Sequence, residues 1–131
     1  MTLHLYYAIM IASTMAQESQ DIKMTFQHRK LMPDPNTKQI FWYLFAGSRG
    51  GTNRVNIIEL LKEHPYNINQ LAEVLKLDYK AIQYHISVLE KDNIISRVGE
   101  KYGVQYFLSN YLEANIDAFN EIGSEMRSLK I

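Results

Sequence analysis

Between Asn67 and Leu108 the hydrophobic period changes from helical to alternating, and this restricts the fold more than any other feature of the chain. Asn69 caps a short segment in which Leu71, Ala72 and Leu75 are apolar at helical spacing. Leu77 lies in a turn. Asp78 caps a longer helix that runs to about Asp92, with Ile82, Ile86 and Leu89 on one buried face. Asn93 suits a left-handed terminator. Ile94 to Val98 reads as a strand, Gly99 to Gly103 as a turn and Val104 to Leu108 as a second strand. Short helix, turn, longer helix and hairpin make up a winged helix-turn-helix. The expected fold class is mainly α with a small β-hairpin, extended by helices at the N- and C-terminal ends.

Upstream, Thr37 can cap a helix from Lys38 to about Ala46, with Ile40, Phe41, Leu44 and Phe45 on one face. Gly47 and the Arg49-Gly50-Gly51 run end it. Thr52 offers an N-cap oxygen to the next helix. That helix carries Val55, Ile57, Ile58 and Leu61 and stops near His64-Pro65, because proline disfavours a helical predecessor. Pro33 and Pro35 mark a break. The apolar run from Leu3 to Ala16 lacks a basic start and is shorter than the ~20 residues that span a bilayer as a helix. The expectation is a buried terminal helix. The rival readings are a membrane-associated segment, or a start upstream of the true one with Met24 as the alternative. The expected division is 1–35 as an N-terminal helical extension, 36–109 as the winged helix and 110–131 as a C-terminal helix.

That last helix starts at Ser109 or Asn110. Leu112, Ile116, Phe119, Ile122, Met126 and Leu129 form a heptad-like stripe. The stripe is expected to pair with a second chain rather than fold back, because it is long and its other face is acidic. From Tyr111 onward Glu113, Asp117, Glu121 and Glu125 face only Arg127 and Lys130, whereas Lys38 to Ser109 holds nine basic and seven acidic residues. The net charge of the whole chain is zero, so any attraction to phosphate must come from local placement. The absence of cysteine excludes disulfides and thiol chemistry and fits a reducing cytoplasm, the expected location.

If Ile82, Ile86 and Leu89 face the core, the opposite face of helix 78–92 presents Tyr79, Lys80, Gln83, Tyr84 and Ser87. Lysine reaches guanine acceptors or a phosphate, and glutamine makes a paired contact with adenine. Tyrosine offers a ring to a thymine methyl and a hydroxyl to phosphate. A merely solvated face more often carries Glu and Lys pairs than two tyrosines. Arg49, Asn53 and Arg54 open a helix after a glycine turn, a place that attracts phosphate. The competing reading is that Gly50 and Gly51 serve a tight connection and an arginine pairs with Glu73 or Glu90. Arg97 and Lys101, with Tyr102 and Gln105, lie in the hairpin, where a basic tip touches backbone or minor groove, although Glu100 weakens this. Phe41, Trp42, Tyr43 and Phe45 fit core and dimer packing better than a cofactor box. No phosphate loop, paired carboxylates or nucleophile-base pair is present, so an enzyme is not expected. No cofactor is expected either. His4, His28 and His64 have no partner at ligand spacing.

Three stretches carry a resemblance: Gly47-Ser48-Arg49-Gly50-Gly51-Thr52-Asn53-Arg54, Pro65-Tyr66-Asn67-Ile68-Asn69-Gln70-Leu71-Ala72, and the run from Leu77 to Glu90 that includes Tyr79-Lys80-Ala81-Ile82-Gln83-Tyr84-His85. Together, over roughly Lys38 to Leu108, they resemble the archaeal winged-helix regulators related to the ArsR superfamily. The resemblance implies a winged helix, frequent homodimerisation and transcriptional regulation. It also implies that His85 sits beside the base-reading residues and helps hold the helix or a phosphate. Metal-sensing relatives use cysteine clusters, or Asp and His pairs on the last helix. Here that helix has Asp117 and no histidine, so no metal site is expected.

The reading is therefore a homodimer that binds specific double-stranded DNA. Helix 78–92 would lie in the major groove, with Tyr79, Lys80, Gln83, Tyr84, His85 and Ser87 touching or flanking the bases. Arg49, Asn53, Arg54, Gln70 and the wing 94–108, through Arg97 and Lys101, would hold the backbone. The dimer would form through Leu112, Ile116, Phe119, Ile122, Met126 and Leu129. The alternative is a winged helix used for protein-protein interaction without DNA, favoured by the zero net charge and apolar terminal helices.

Overall fold

The computed structural model describes residues 34–128. The expectations for Leu3 to Ala16 and for Leu129 lie outside the described residues. Helix α1, Pro35–Phe41, runs directly into a π-helical segment, Trp42–Ala46. Then follow α2, Gly51–Glu63, α3, Ile68–Leu75, and α4, Tyr79–Lys91. Strands β1, Ile95–Val98, and β2, Gln105–Leu108, form the hairpin, and α5, Asn110–Ala114, and α6, Ile116–Ser128, close the described chain.

The first helix starts earlier than its sequence predicts. Asp34, not Thr37, is its N-cap, and the Asp34 carboxylate accepts from the Asn36 amide at 3.1 Å. Pro35 occupies the first helical position, where its missing N–H costs nothing, so the proline starts the helix. Thr37 is buried instead, with its Oγ1 2.7 Å from the Tyr111 hydroxyl. Phe41, Leu44 and Phe45 are fully buried, as their spacing predicts, but Trp42 and Tyr43 are exposed and take no part in this core.

The π segment has a local cause. The Arg54 Nε donates to the Leu44 carbonyl at 2.8 Å, the group to which an α-helical Ser48 amide would bond. The widened turn closes with the Gly47 amide on the Trp42 carbonyl at 2.7 Å. Helix α2 begins one residue before the expected Thr52 cap, with Gly50 as N-cap. A Cβ on Gly51 would overlap the Phe45 carbonyl, so only glycine lets α2 start this close to the preceding segment.

The helix-turn-helix is α3 and α4. Asn67, not Asn69, caps α3 through a capping box: its side chain accepts from the Gln70 amide at 2.7 Å, and the Gln70 side chain accepts from the Asn67 amide at 2.9 Å. Lys76 ends α3 with φ 56°, a left-handed position that a glycine more often fills. Asp78 is the N-cap of α4 and Asn93, φ 59°, follows its end, both as the sequence predicts. Leu71, Ile82, Ile86 and Leu89 are buried against Val55, Ile58 and Leu61 of α2.

In the antiparallel hairpin Ile95 faces Leu108 and Arg97 faces Tyr106. An isolated bridge between Tyr66 and Tyr106, with amide-to-carbonyl distances of 3.2 and 2.8 Å, ties the hairpin to the residue just before α3. This fixes the wing against the helix-turn-helix.

The final helix differs from its prediction in two ways. It is broken at Asn115 into α5 and α6, with Ser109 capping the first piece through the Leu112 amide at 3.0 Å. Its apolar stripe also folds back: Leu112 and Phe119 are fully buried in the core of their own chain, and Ile116 and Ile122 pack against that core. The stripe covers α1 and the π segment through edge-to-face rings, Phe45 on Phe119 at 4.9 Å and Phe41 on Tyr111 at 6.0 Å. Leu112 and Phe119 thus serve the fold of their own chain, while Ile116 and Ile122 stay partly accessible at its surface. Met126 is half-buried. The stripe turns inward because Phe41, Phe45 and Leu44 give it an apolar surface within its own chain.

Candidate nucleic-acid interface

Helix α4 buries Ile82, His85, Ile86 and Leu89, and this packing decides which side chains point outward. Tyr79, Lys80, Gln83, Tyr84 and Ser87 are all exposed. Tyr79 and Tyr84 are 48 % and 61 % exposed, unusual for rings with no partner molecule to cover them. The Ser87 hydroxyl donates to the Tyr84 carbonyl at 2.7 Å and leaves its lone pairs outward. Besides the cap Asp78, Glu90 falls on the same side as Tyr79 and Gln83, and its carboxylate is held by Arg97. The predicted base-facing set is therefore brought together, with one exception.

The exception is His85, which is 6 % exposed. Its Nδ1 lies 3.2 Å from Nη1 of Arg54, itself 3 % exposed. Arginine only donates, so Nδ1 accepts and the neutral ring carries its proton on Nε2. Burial and the Arg54 charge hold the imidazole below its ordinary range. Arg54 also donates to the Leu44 carbonyl at 2.8 Å and to the Ser48 hydroxyl. Burial lowers its pKa, while the Tyr84 and Tyr43 phenols act the other way. Neither Arg54 nor His85 lies on the exposed face, and Arg54 pairs with neither Glu73 nor Glu90. Both join the π segment, α2 and α4 into one unit. Arginine at the start of α2 reads in the sequence as a phosphate contact, and burial decides otherwise.

Arg49 remains exposed and Asn53 half-buried, both beside Tyr84 on a groove that α4 shares with the π segment. Gln70 is exposed, but its side-chain oxygen is engaged in the capping box, so only its NH₂ faces outward. Arg97 is not a free cation. Its Nε and Nη2 donate to the two oxygens of Glu90 at 2.8 and 2.7 Å, and its guanidinium lies 5.6 Å from the Tyr106 ring. That bidentate bond to Glu90 raises the Arg97 pKa, with Tyr106 and the Glu90 charge acting the same way. Arg97 thereby fastens β1 to α4 instead of reaching for phosphate. Lys101 sits exposed at the wing tip with φ 45°. Sequence reasoning missed Lys76, an exposed cation in the turn between α3 and α4. Its place in the turn was the available signal.

Among the described residues no group of three His, Asp or Glu side chains could hold a metal ion. None of the described helices is long and apolar enough to cross a membrane.

Comparison with known proteins bears on the same elements. Residues 52–97, from α2 into β1, match the family described as "Bacterial regulatory protein, arsR family". No curated protein matches the chain. Among solved structures, the chain is similar to HlyU from Vibrio cholerae N16961, at 20 % identity over 73 % of this chain and 96 % of that one, with a TM-score of 0.52. Reduced HlyU from the same organism matches at 20 % identity over 70 % and 88 %, with a TM-score of 0.50. RV1404 from Mycobacterium tuberculosis matches at 16 % identity over 86 % and 78 %, with a TM-score of 0.51. At these identities the likeness is one of fold, and it does not distinguish an archaeal branch. Residues 52–97 are therefore similar to the helix-turn-helix of the arsR family, and the solved structures share the winged-helix fold.

Proposed function

We propose that this protein is a transcriptional regulator that binds specific double-stranded DNA as a homodimer. The observation that carries the reading is the outward face of α4, where Tyr79, Lys80, Gln83, Tyr84 and Ser87 stand exposed and the carboxylate of Glu90 is held by Arg97. The arsR-type helix-turn-helix supports DNA binding and regulation in general. In this reading α4 enters the major groove, Gln83 and Lys80 reach base edges, and the two tyrosines touch thymine methyls or phosphates. Lys76, Arg49, the Gln70 NH₂ and Lys101 supply backbone contacts. Arg54, His85 and Arg97 position these groups and make no DNA contact of their own.

In this reading the dimer uses the partly exposed side of the α6 stripe: Trp42, 54 % exposed, lines a groove with Ala118 and Ile122, together with Lys38, Glu121 and Glu125. An apolar surface that carries both signs of charge can pair with itself about a two-fold axis. Two copies joined there would present two α4 helices to half-sites about one helical turn apart.

The test is titration of the purified full chain against its own upstream DNA and a random duplex at two salt concentrations. Saturable binding that exceeds the random duplex and weakens with salt is expected. Equal binding to both would replace specific regulation with an architectural role. No binding at low salt would favour a protein-interaction module, a reading supported by the exposed Val98, Tyr102 and Phe107 on the wing.

A further inference from the structure

Behind the outward face of α4 lies an open groove of about 1000 Å³ between the π segment, the start of α2 and α4 itself. Its floor is the Arg54 and His85 pair. Arg54 is a buried cation whose named partners are a carbonyl, a hydroxyl and an imidazole, and no carboxylate. A buried charge is ordinarily balanced by an opposite one. The hydrogen bonds to these three partners leave other N–H groups of the guanidinium uncommitted. His85 turns its protonated Nε2 away from Arg54. That atom has no protein partner, yet no side-chain nitrogen or oxygen among the described residues is sealed without one, so Nε2 reaches the solvent of the groove. A Cβ on Gly50 would press on both the His85 ring and the Arg54 guanidinium, so only glycine lets the backbone approach the pair this closely.

The walls are as specific as the floor. Tyr43, 64 % exposed, and Tyr84 both line the groove, as do Ile40, Val88, Arg49 and Asn53. Of the charged side chains lining the groove, Arg49, Arg54 and Lys91 are cations and Asp92 alone is an acid. Donors at the bottom, rings at the sides and a positive balance describe a receptor for one kind of molecule.

We propose that this groove binds a small aromatic carboxylate, its acid group on the Arg54 and His85 donors and its ring between Tyr43 and Tyr84. The groove is within the size range of small-molecule sites. Tyr84 belongs both to this wall and to the outward face of α4, so a bound ring withdraws it from that face and weakens DNA binding. This regulatory clause rests on the DNA-binding reading, whereas binding of the acid does not.

The experiment is calorimetric titration of the full chain without DNA, using benzoate, 4-hydroxybenzoate and indole-3-carboxylate, with benzamide and inorganic phosphate as controls. The expected result is one-to-one saturable binding of at least one acid, at least about tenfold tighter than either control. Tyr43→Ala, a change at an exposed side chain, should weaken it at least about tenfold. The proposal is overturned if no acid binds below about 10 mM, if benzamide binds as well, or if Tyr43→Ala has no effect. Phosphate binding as tightly as the acids would also overturn it and assign the groove to a DNA phosphate. In a second arm the upstream DNA is titrated with and without saturating acid, and an affinity loss of at least about threefold is expected. Unchanged DNA affinity with acid bound overturns the regulatory clause. Acid binding in a chain that binds no DNA upholds the site and counts against the DNA reading.

Discussion

Arg54 and His85 show how little of a residue's role its type reveals. Both are polar, both sit in motifs that suggest phosphate or base contact, and both are buried. Their neighbours come from other elements: Arg54 reaches the Leu44 carbonyl and the Ser48 hydroxyl across the glycine turn, and it meets His85 31 residues on. No spacing rule reports such a meeting. By contrast the outward residues of α4 were legible, because three regularly spaced apolar positions, Ile82, Ile86 and Leu89, fix the opposite face of a helix. Arg54→Met should cost about 2–4 kcal/mol in urea unfolding, since it strands a buried carbonyl and a hydroxyl. His85 gives a pH dependence with a definite sign. Its folded pKa lies below the ordinary 6.5, so the unfolded chain takes up a proton that the native one refuses. Stability is full above the unfolded pKa and is lost as pH falls from there toward the folded value. The urea midpoint should drop between about pH 7 and about pH 5, and His85→Asn should flatten that drop. An identical profile in the variant would show that His85 is not the group responsible.

At the scale of elements, the sequence locates α2, α3, α4 and both strands, but it misplaces several ends and reads α1 with the π segment, and α5 with α6, as single helices. Side-chain caps explain the errors. Asn67 and Asn69 are equally good cap types, and only the partner three residues on, Gln70, chooses between them. Asn67→Ala should lower stability by about 1 kcal/mol, and Asn69→Ala by much less, in the same unfolding assay. The break at Asn115 and the inward turn of the last helix were illegible for a different reason. A heptad stripe states that something apolar must cover it, not which chain provides the cover. Phe119→Ala should cost about 3–5 kcal/mol whatever the protein concentration, because its partner ring Phe45 lies in the same chain. A loss that vanished on raising the concentration would return the stripe to an intermolecular role. On α4, Gln83→Ala should reduce discrimination at one base position by about 1–3 kcal/mol, measured by competition between operator variants.

For the whole molecule, the proposed reading assigns separate work to two surfaces: DNA contact to α4 with the wing tip, and pairing to the Trp42 groove. Trp42→Glu should leave the fold intact, since the ring is exposed, yet shift sedimentation from dimer toward monomer and lower DNA affinity with it. Lys101→Ala should weaken all duplexes alike and reduce the salt slope by about 1. Arg97→Ala should not reproduce that slope change, because its charge is already spent on Glu90. The contact between Thr37 and Tyr111 joins residues 74 apart in the chain. A ribosome working at roughly 5–20 residues per second needs about 4–15 s to cover that interval. For that time α1 and the π segment exist with Phe41 and Phe45 uncovered, while the helix-turn-helix is still emerging. The earliest part of the domain to be made is therefore among the last to be sealed. A nascent chain is open to capture by chaperones at the same aromatic surface that the finished protein hides.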